Sequence, residues 1–195
     1  MGVRPRGREL LLVTAVLAAL GAILTWPLLQ APASTTVNAW FIPSQMWSFD
    51  LFARGLLDGQ LVGPTDMVAW PEGGYLSVVG WSYLPTVIPA LLLGLGTPFG
   101  MNVGAWLQLV LAGLGCFLLA RRLGVSSGAA LAVAAFYGFN PFGLHQLMNG
   151  QLAELCHWGP PLAILLLLEQ RERPGWKPLV GMAVVMGMLL ASSPY

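Results

Sequence analysis

Charge is what this chain has least of. Asp, Glu, Lys and Arg together make up 9% of its 195 residues, against about 25% in an ordinary soluble domain. A water-facing globule of this length has more surface than so few charges can cover, and is excluded. The formal net charge is +1, with no basic patch apart from the ends of apolar runs, so nucleic acid is not an expected partner. Cysteine is scarce as well: Cys116 and Cys156 both lie in apolar runs and read as small buried hydrophobes rather than a disulfide pair. Of the 2 histidines, His145 and His157 combine with Glu154 in no familiar metal-ligand spacing, and no metal site is expected. Serine-elbow, phosphate-loop, zinc-binding and dinucleotide signatures are all missing, which leaves the cofactor unassigned.

What the chain has instead is apolar length. Hydrophobic residues make up 56%, the mean hydropathy is +0.72, and the apolar residues gather at Leu10–Leu29, Leu84–Leu95, Met101–Ala120, Ser127–Phe139, Leu152–Leu168 and Leu179–Ala191. A bilayer crossing takes roughly 20 residues. Arg4, Arg6 and Arg8 precede the first run, and Ala31-Pro32-Ala33 follows it. That layout also fits a secretory signal, but the run exceeds the roughly 7–15 residues of a signal core. Either way the arginines stay in the cytoplasm and the next loop lies outside.

Leu84–Leu95 is short and carries Pro85 and Pro89. Counting it as a crossing places Arg121, Arg122, Arg171, Arg173 and Lys177 outside together with Arg54; letting it dip leaves only Arg54 outside, as the excess of cytoplasmic cations requires. The expected fold is therefore all-α, a polytopic transmembrane helix bundle of about five spans. A cytoplasmic tail (1–9) leads into span 1 (10–29). An outer loop (30–100) carries an interfacial helix (44–58) and a dipping segment (84–95), and spans 2 to 5 occupy 101–195. Trp26, Trp40, Trp81, Trp106 and Trp158 fall near the outer boundary and Trp176 near the inner one, the pattern of an aromatic belt. The sequence stops just after its last apolar run, which reads as an amino-terminal portion whose first partner is the missing carboxy-terminal part of the same protein.

The outer loop is too long and too aromatic to read as a passive linker. Pro43-Ser44 and Gly59 bracket a helix whose apolar face holds Met46, Phe49, Phe52, Ala53, Leu56 and Leu57. Asp50, Arg54 and Asp58 form an i, i+4, i+8 row on another face. The row fits a solvated ion-pair stripe, or a carboxylate at the mouth of a membrane cavity oriented by Arg54. Asp66 sits in a turn-rich stretch with Pro71, Gly73 and Gly74, where it fits a turn cap. The second outward element, 140–154, gathers His145, Asn149, Gln151 and Glu154. An ionisable group such as Glu154 near membrane depth is costly unless it faces a cavity, pairs or protonates, so it is a functional candidate. Gly100 and Gly104 fit the small-xxx-small pattern of helix contacts.

The order of these parts resembles the GT-C superfamily of membrane glycosyltransferases, and large bacterial members most of all. The likeness rests on Met46-Trp47 through Leu56-Leu57-Asp58-Gly59, Pro64-Thr65-Asp66, Pro71-x-Gly73, Phe117 through Arg121-Arg122-Leu123, Phe139-Asn140-Pro141, and Trp158 with Pro160-Pro161-Leu162. The resemblance implies transfer of a sugar from a polyprenyl-phosphate donor on the non-cytoplasmic side of a bacterial inner membrane, with the lipid-linked sugar donor and membrane lipids as partners. It implies an early outer-loop Asp acting as or near the base, and an acid from the second outer loop. Val37-Asn38-Ala39-Trp40-Phe41 stands where oligosaccharyltransferase relatives have Asp-Pro-Trp-Phe. Asn38 cannot take a proton there, so either Asp50 has the role or the chemistry is lost. Glu154 matches the second acid. Asp50 and Glu154 are thus the catalytic candidates, and Asn38, Arg54, Asp66, His145, Asn149 and Gln151 the substrate-binding ones. Two other readings stay open: a transporter or lipid-handling protein, which predicts broken helices, and a non-catalytic membrane scaffold, for which Asn38 argues.

Overall fold

The computed structural model describes residues 5–36, 42–57, 59, 64–65, 74–75 and 96–192. Asn38, Asp58, Asp66 and the segment 84–95 lie outside the described residues. Among those described the architecture is helical: α1 (Gly7–Leu24), α2 (Trp26–Gln30), α3 (Ile42–Leu57), α4 (Thr97–Arg122), α5 (Ser127–Gly138), α6 (Pro141–Met148), a 3-10 turn at Leu152–Leu155, α7 (Gly159–Glu172) and α8 (Trp176–Ser192). A two-residue antiparallel ladder, β1 (Pro64–Thr65) against β2 (Gly74–Tyr75), is the exception.

α4 is the central post, in contact with α1, α3, α5, α7 and the 3-10 turn. Its 26 residues rise about 39 Å. α1 runs antiparallel to it: Glu9 pairs with Arg121 near the far end of α4, at 2.9 Å, while the Trp106 Nε1–H donates to the Ala18 carbonyl at 3.2 Å. Beyond α2 the Asn102 amide, on the first turns of α4, donates to the Pro32 and Thr35 carbonyls at 2.9 and 2.6 Å. It thereby ties the entry of the long loop to the post. α5 returns after a tight turn in which Gly124 adopts φ +89°, a left-handed conformation that favours glycine. Arg121 clasps this turn by donating to the Val125 carbonyl at 2.7 Å.

Small residues set how closely the helices approach. A Cβ on Gly138 would lie 2.9 Å from the Gly113 nitrogen and from the Leu109 carbonyl, so α5 and α4 touch backbone to backbone. On α4, Gly115 receives Pro161 and Leu162 of α7, and Gly159 and Gly181 seat Leu189 and Leu166 in the α7–α8 hairpin. Close approach through small residues is the usual helix contact where lipid leaves no hydrophobic drive between helices.

The elements divide into two ends. At the charged end Glu9, Arg121, Arg122, Ser127 and Glu172 meet: Ser127 Oγ donates to Glu9 at 2.6 Å, and Arg122 pairs with Glu172. At the loop end sit α2, α3 and α6. Two helices, α1 and α4, are long and apolar enough to cross a membrane, and α8 is apolar but shorter. α5 with 12 residues and α7 with 14 fall short of the roughly 20 a crossing takes. The apolar run expected over Leu152–Leu168 is not one helix: its first seven residues form the 3-10 turn and the bend 156–158, and Pro160 and Pro161 then start α7, where a missing N–H costs nothing.

Two tryptophans correct the aromatic belt. Trp106 packs into the α1–α4 seam, its Nε1 2.8 Å from the place of a Cβ on Gly21, and Trp158 is buried beside Ala112, Cys156 and Val185. Both side chains fill helix seams that spacing along the chain does not reveal. Trp26 and Trp176 are exposed.

Candidate functional site at the loop end

The site begins with a break. α5 and α6 are separated by Asn140-Pro141, and Asn140 serves both ends of the gap. Its Nδ2 donates to the Tyr137 carbonyl at 2.7 Å and its Oδ1 accepts from the Gly143 N–H at 2.8 Å. One side chain therefore closes α5 and caps α6, with Pro141 in the first turn where proline is tolerated. α6 ends at Asn149-Gly150: Gly150 turns left-handed at φ +72°, its N–H donates to the Leu147 carbonyl at 3.0 Å, and the Gln151 N–H donates to the Gln146 carbonyl at 2.9 Å. That is the glycine-based closure expected at a helix end. It turns the chain into the 3-10 segment that presents Glu154.

Behind the break lies a buried polar seam. Gln108, 1% exposed, stands some 13 residues from Arg121, about 20 Å along the helix axis. Its Oε1 accepts a hydrogen bond from the Cys156 thiol at 3.2 Å. Neither Cys116 nor Cys156 is in a disulfide. Tyr137 donates its hydroxyl to the His157 carbonyl at 2.8 Å, and the His157 ring lies against Phe142 with centroids 5.4 Å apart. The His157 Nε2 and the Trp158 Nε1 are buried without a hydrogen-bond partner. An indole N–H buried without an acceptor carries a desolvation cost of about 1–3 kcal/mol.

In front of the break stand the acids. Glu154 accepts a hydrogen bond from the buried Gln146 amide. Asp50 on α3 pairs with Arg54 one turn on at 2.6 Å, and its other oxygen accepts from the Thr97 hydroxyl at 3.3 Å. Arg54 is 72% exposed, so the Asp50–Arg54 pair is a solvated i, i+4 contact, contributing a few tenths of a kcal/mol by itself. Thr97 converts it into a link between α3 and the start of α4. His145 and Asn149 face each other on the exposed side of α6, Nε2 to Nδ2 at 2.9 Å, and Gln151 precedes the 3-10 turn.

One apolar cluster gathers these pieces. Phe49 and Ala53 of α3, Met101, Ala105 and Leu109 of α4, Leu147 of α6, and Leu152 and Leu155 of the 3-10 turn pack together, with Met46, Phe139 and Leu144 at its edge. The helix carrying Asp50 and the turn carrying Glu154 therefore share a floor. The two acids are held by different neighbours, Asp50 by Arg54 and Thr97 and Glu154 by Gln146. Among the described residues no group of His, Cys, Asp and Glu has the arrangement to hold a metal ion. Gln108, Gln146, Asn102 and Thr97 were not among the expected site residues. A lone glutamine inside a long apolar run was the one legible signal, since polar groups at membrane depth are costly without a task or a partner.

No family model, no curated protein and no solved structure matches this chain.

Proposed function

We propose that this chain belongs to a membrane-embedded, GT-C-like glycosyltransferase, taking a sugar from a polyprenyl-phosphate donor at the outer face of a bacterial inner membrane. The observation that supports the reading is the shared floor beneath α3, which carries Asp50, and the 3-10 turn, which carries Glu154, both packed on α4. This reading takes five crossings: α1 with α2, α4, α5 continued by α6, the 3-10 turn continued by α7, and α8. Glu9, Arg121, Arg122 and Glu172 then share the cytoplasmic end. Leu11, Leu12 and Ile23 of α1, Phe136 of α5 and Leu190 of α8, all exposed, then face lipid rather than water.

In this reading Glu154, oriented by Gln146, takes the proton of the acceptor hydroxyl as it attacks the sugar. In the same reading Arg54, paired with Asp50, supplies a cation for the phosphate leaving group. In the full-length protein, Glu154→Gln and Asp50→Asn should each lower transfer from a polyprenyl-phosphate sugar by about 10²–10⁴-fold, the usual weight of a positioned acid or base. The helical circular dichroism should stay unchanged. Full transfer in both variants rejects the assignment.

The α5–α6 break favours a second reading, transport or lipid handling, because irregular backbone at membrane depth persists only where it is buried in protein or lines a cavity. On that reading Glu154→Gln stops movement of substrate across vesicles while no sugar transfer is detectable in the parent protein. If neither activity is found, a non-catalytic scaffold is left.

A further inference from the structure

Away from Asp50 and Glu154, the turn between α7 and α8 forms a partly open cavity of about 340 Å³ lined by Arg122, Glu169, Glu172, Arg173, Gly175, Trp176, Lys177 and Pro178. Its size falls within the range of small-molecule sites, roughly 300–1,000 Å³. We propose that it is a binding site for the phosphate headgroup of an anionic phospholipid of the cytoplasmic leaflet. The inference rests on the membrane orientation proposed above, though not on the transferase chemistry.

The charge balance favours an anion. Three cations and two acids line the space, and one of those acids, Glu172, is already matched to Arg122. Arg173 and Lys177 are exposed on opposite sides of the turn, one just past the end of α7 and the other in the first turn of α8. A phosphate between them also meets the opening turn of α8, where unpaired N–H groups and the helix dipole favour negative charge. Gly175 already spends its N–H on the Gln170 side chain at 3.2 Å, which holds the turn in place.

A lipid rather than a free phosphate is favoured by what surrounds the cavity. Trp176, 69% exposed, sits beside Lys177 with the ammonium 5.9 Å from its ring centre, an aromatic–cation pair suited to the headgroup level of a bilayer. Ile164 and Leu167 of α7 and Leu179, Val180 and Val184 of α8 are exposed directly beyond the turn. They give acyl chains an apolar surface leading away from the headgroup. Basic pockets between helices on the cytoplasmic side are the usual place for such binding.

The test is native mass spectrometry of the full chain released from bilayer nanodiscs of mixed phosphatidylglycerol and phosphatidylcholine, with glycerol phosphate added in a separate arm. Wild-type protein should retain phosphatidylglycerol over phosphatidylcholine, and glycerol phosphate should not displace it. Arg173→Gln and Lys177→Gln should each weaken retention about fivefold, the weight of one cation near an anionic surface. Arg171→Gln, which removes a nearby cation that does not line the cavity, should change it little. Equal retention of the two lipids, or an equal loss in all three variants, overturns the site. Displacement by glycerol phosphate reassigns it to a soluble phosphate and overturns the lipid. Protein that carbonate strips from the membrane overturns the orientation and this site together, whereas inserted protein without lipid preference overturns only the site.

Discussion

Gly138 sets the distance between α5 and the central post, and replacing it by alanine tests the packing directly. The added Cβ would lie 2.9 Å from the Gly113 nitrogen and the Leu109 oxygen, about 0.5 Å inside the 3.4 Å at which ordinary contact begins. Those neighbours are backbone on a long helix, so no side chain can swing aside and the helices must part. Overpacking of this kind costs typically about 1–3 kcal/mol, offset by up to about 1 kcal/mol for the better helix propensity of alanine. Two backbone atoms clash at once, so the upper part of that range applies and the net loss is roughly 1–2 kcal/mol, a factor of about 5–30 in the folded fraction. Gly187 on α8 provides the matched control, because a Cβ there meets nothing within 4 Å and only the propensity gain remains. Equilibrium unfolding in mixed micelles, titrating a denaturing detergent, should give a lower midpoint for Gly138→Ala and an equal or higher one for Gly187→Ala. A Gly138→Ala midpoint at or above wild type would refute backbone-to-backbone contact between α4 and α5.

Asn140→Ala should lower stability by about 1–3 kcal/mol, since it removes a cap and a second hydrogen bond at once, and micelle unfolding measures it; Asn140→Asp, which keeps the acceptor and loses the donor, should fall between. Glu9 supplies the pH dependence. The Ser127 hydroxyl, followed by the Arg6 N–H and Arg121, holds its carboxyl below the ordinary value of 4.5 against the opposing effect of burial. A depressed folded value means that its contribution is fully present above 4.5 and is lost as pH falls through the folded value. Glu9→Gln should therefore be less stable than wild type at pH 7, with the two thermal midpoints converging on acidification; parallel curves would show that the carboxylate is not linked to folding.

The helical class followed from composition and from runs of apolar residues, and so did the grouping of Arg121, Arg122 and Glu172 with the amino-terminal segment at one end. The sum of cationic flanks carries that information locally. Helix α3 is legible for the same reason: Ser44, Gly59 and the spacing of Met46, Phe49 and Ala53 are short-range signals. The seams were not legible. Trp106 and Trp158 look like boundary residues until Gly21 and the α7–α8 hairpin are in place, because a pair far apart in sequence leaves no periodic trace. Nothing local singles out Gln146 within 140–154, and its role as the partner of Glu154 depends on Gly150 turning the chain back toward it.

The Asn140-Pro141 break is where the competing readings of function separate. In a transporter the irregular backbone itself lines the pathway, and its carbonyls are left available for ions. Here the break and the segment after it are largely satisfied from within: Tyr137 takes up the His157 carbonyl, Asn140 takes up the Tyr137 carbonyl and the Gly143 N–H, and Gln146 and Gln151 accept through their backbones. What remains without a protein partner are two ring nitrogens: the Trp158 Nε1–H, a donor, and the His157 Nε2, whose role depends on its tautomer. The internal satisfaction of the break, whose backbone carbonyls are taken up by the protein's own groups, favours the proposed transferase over a channel.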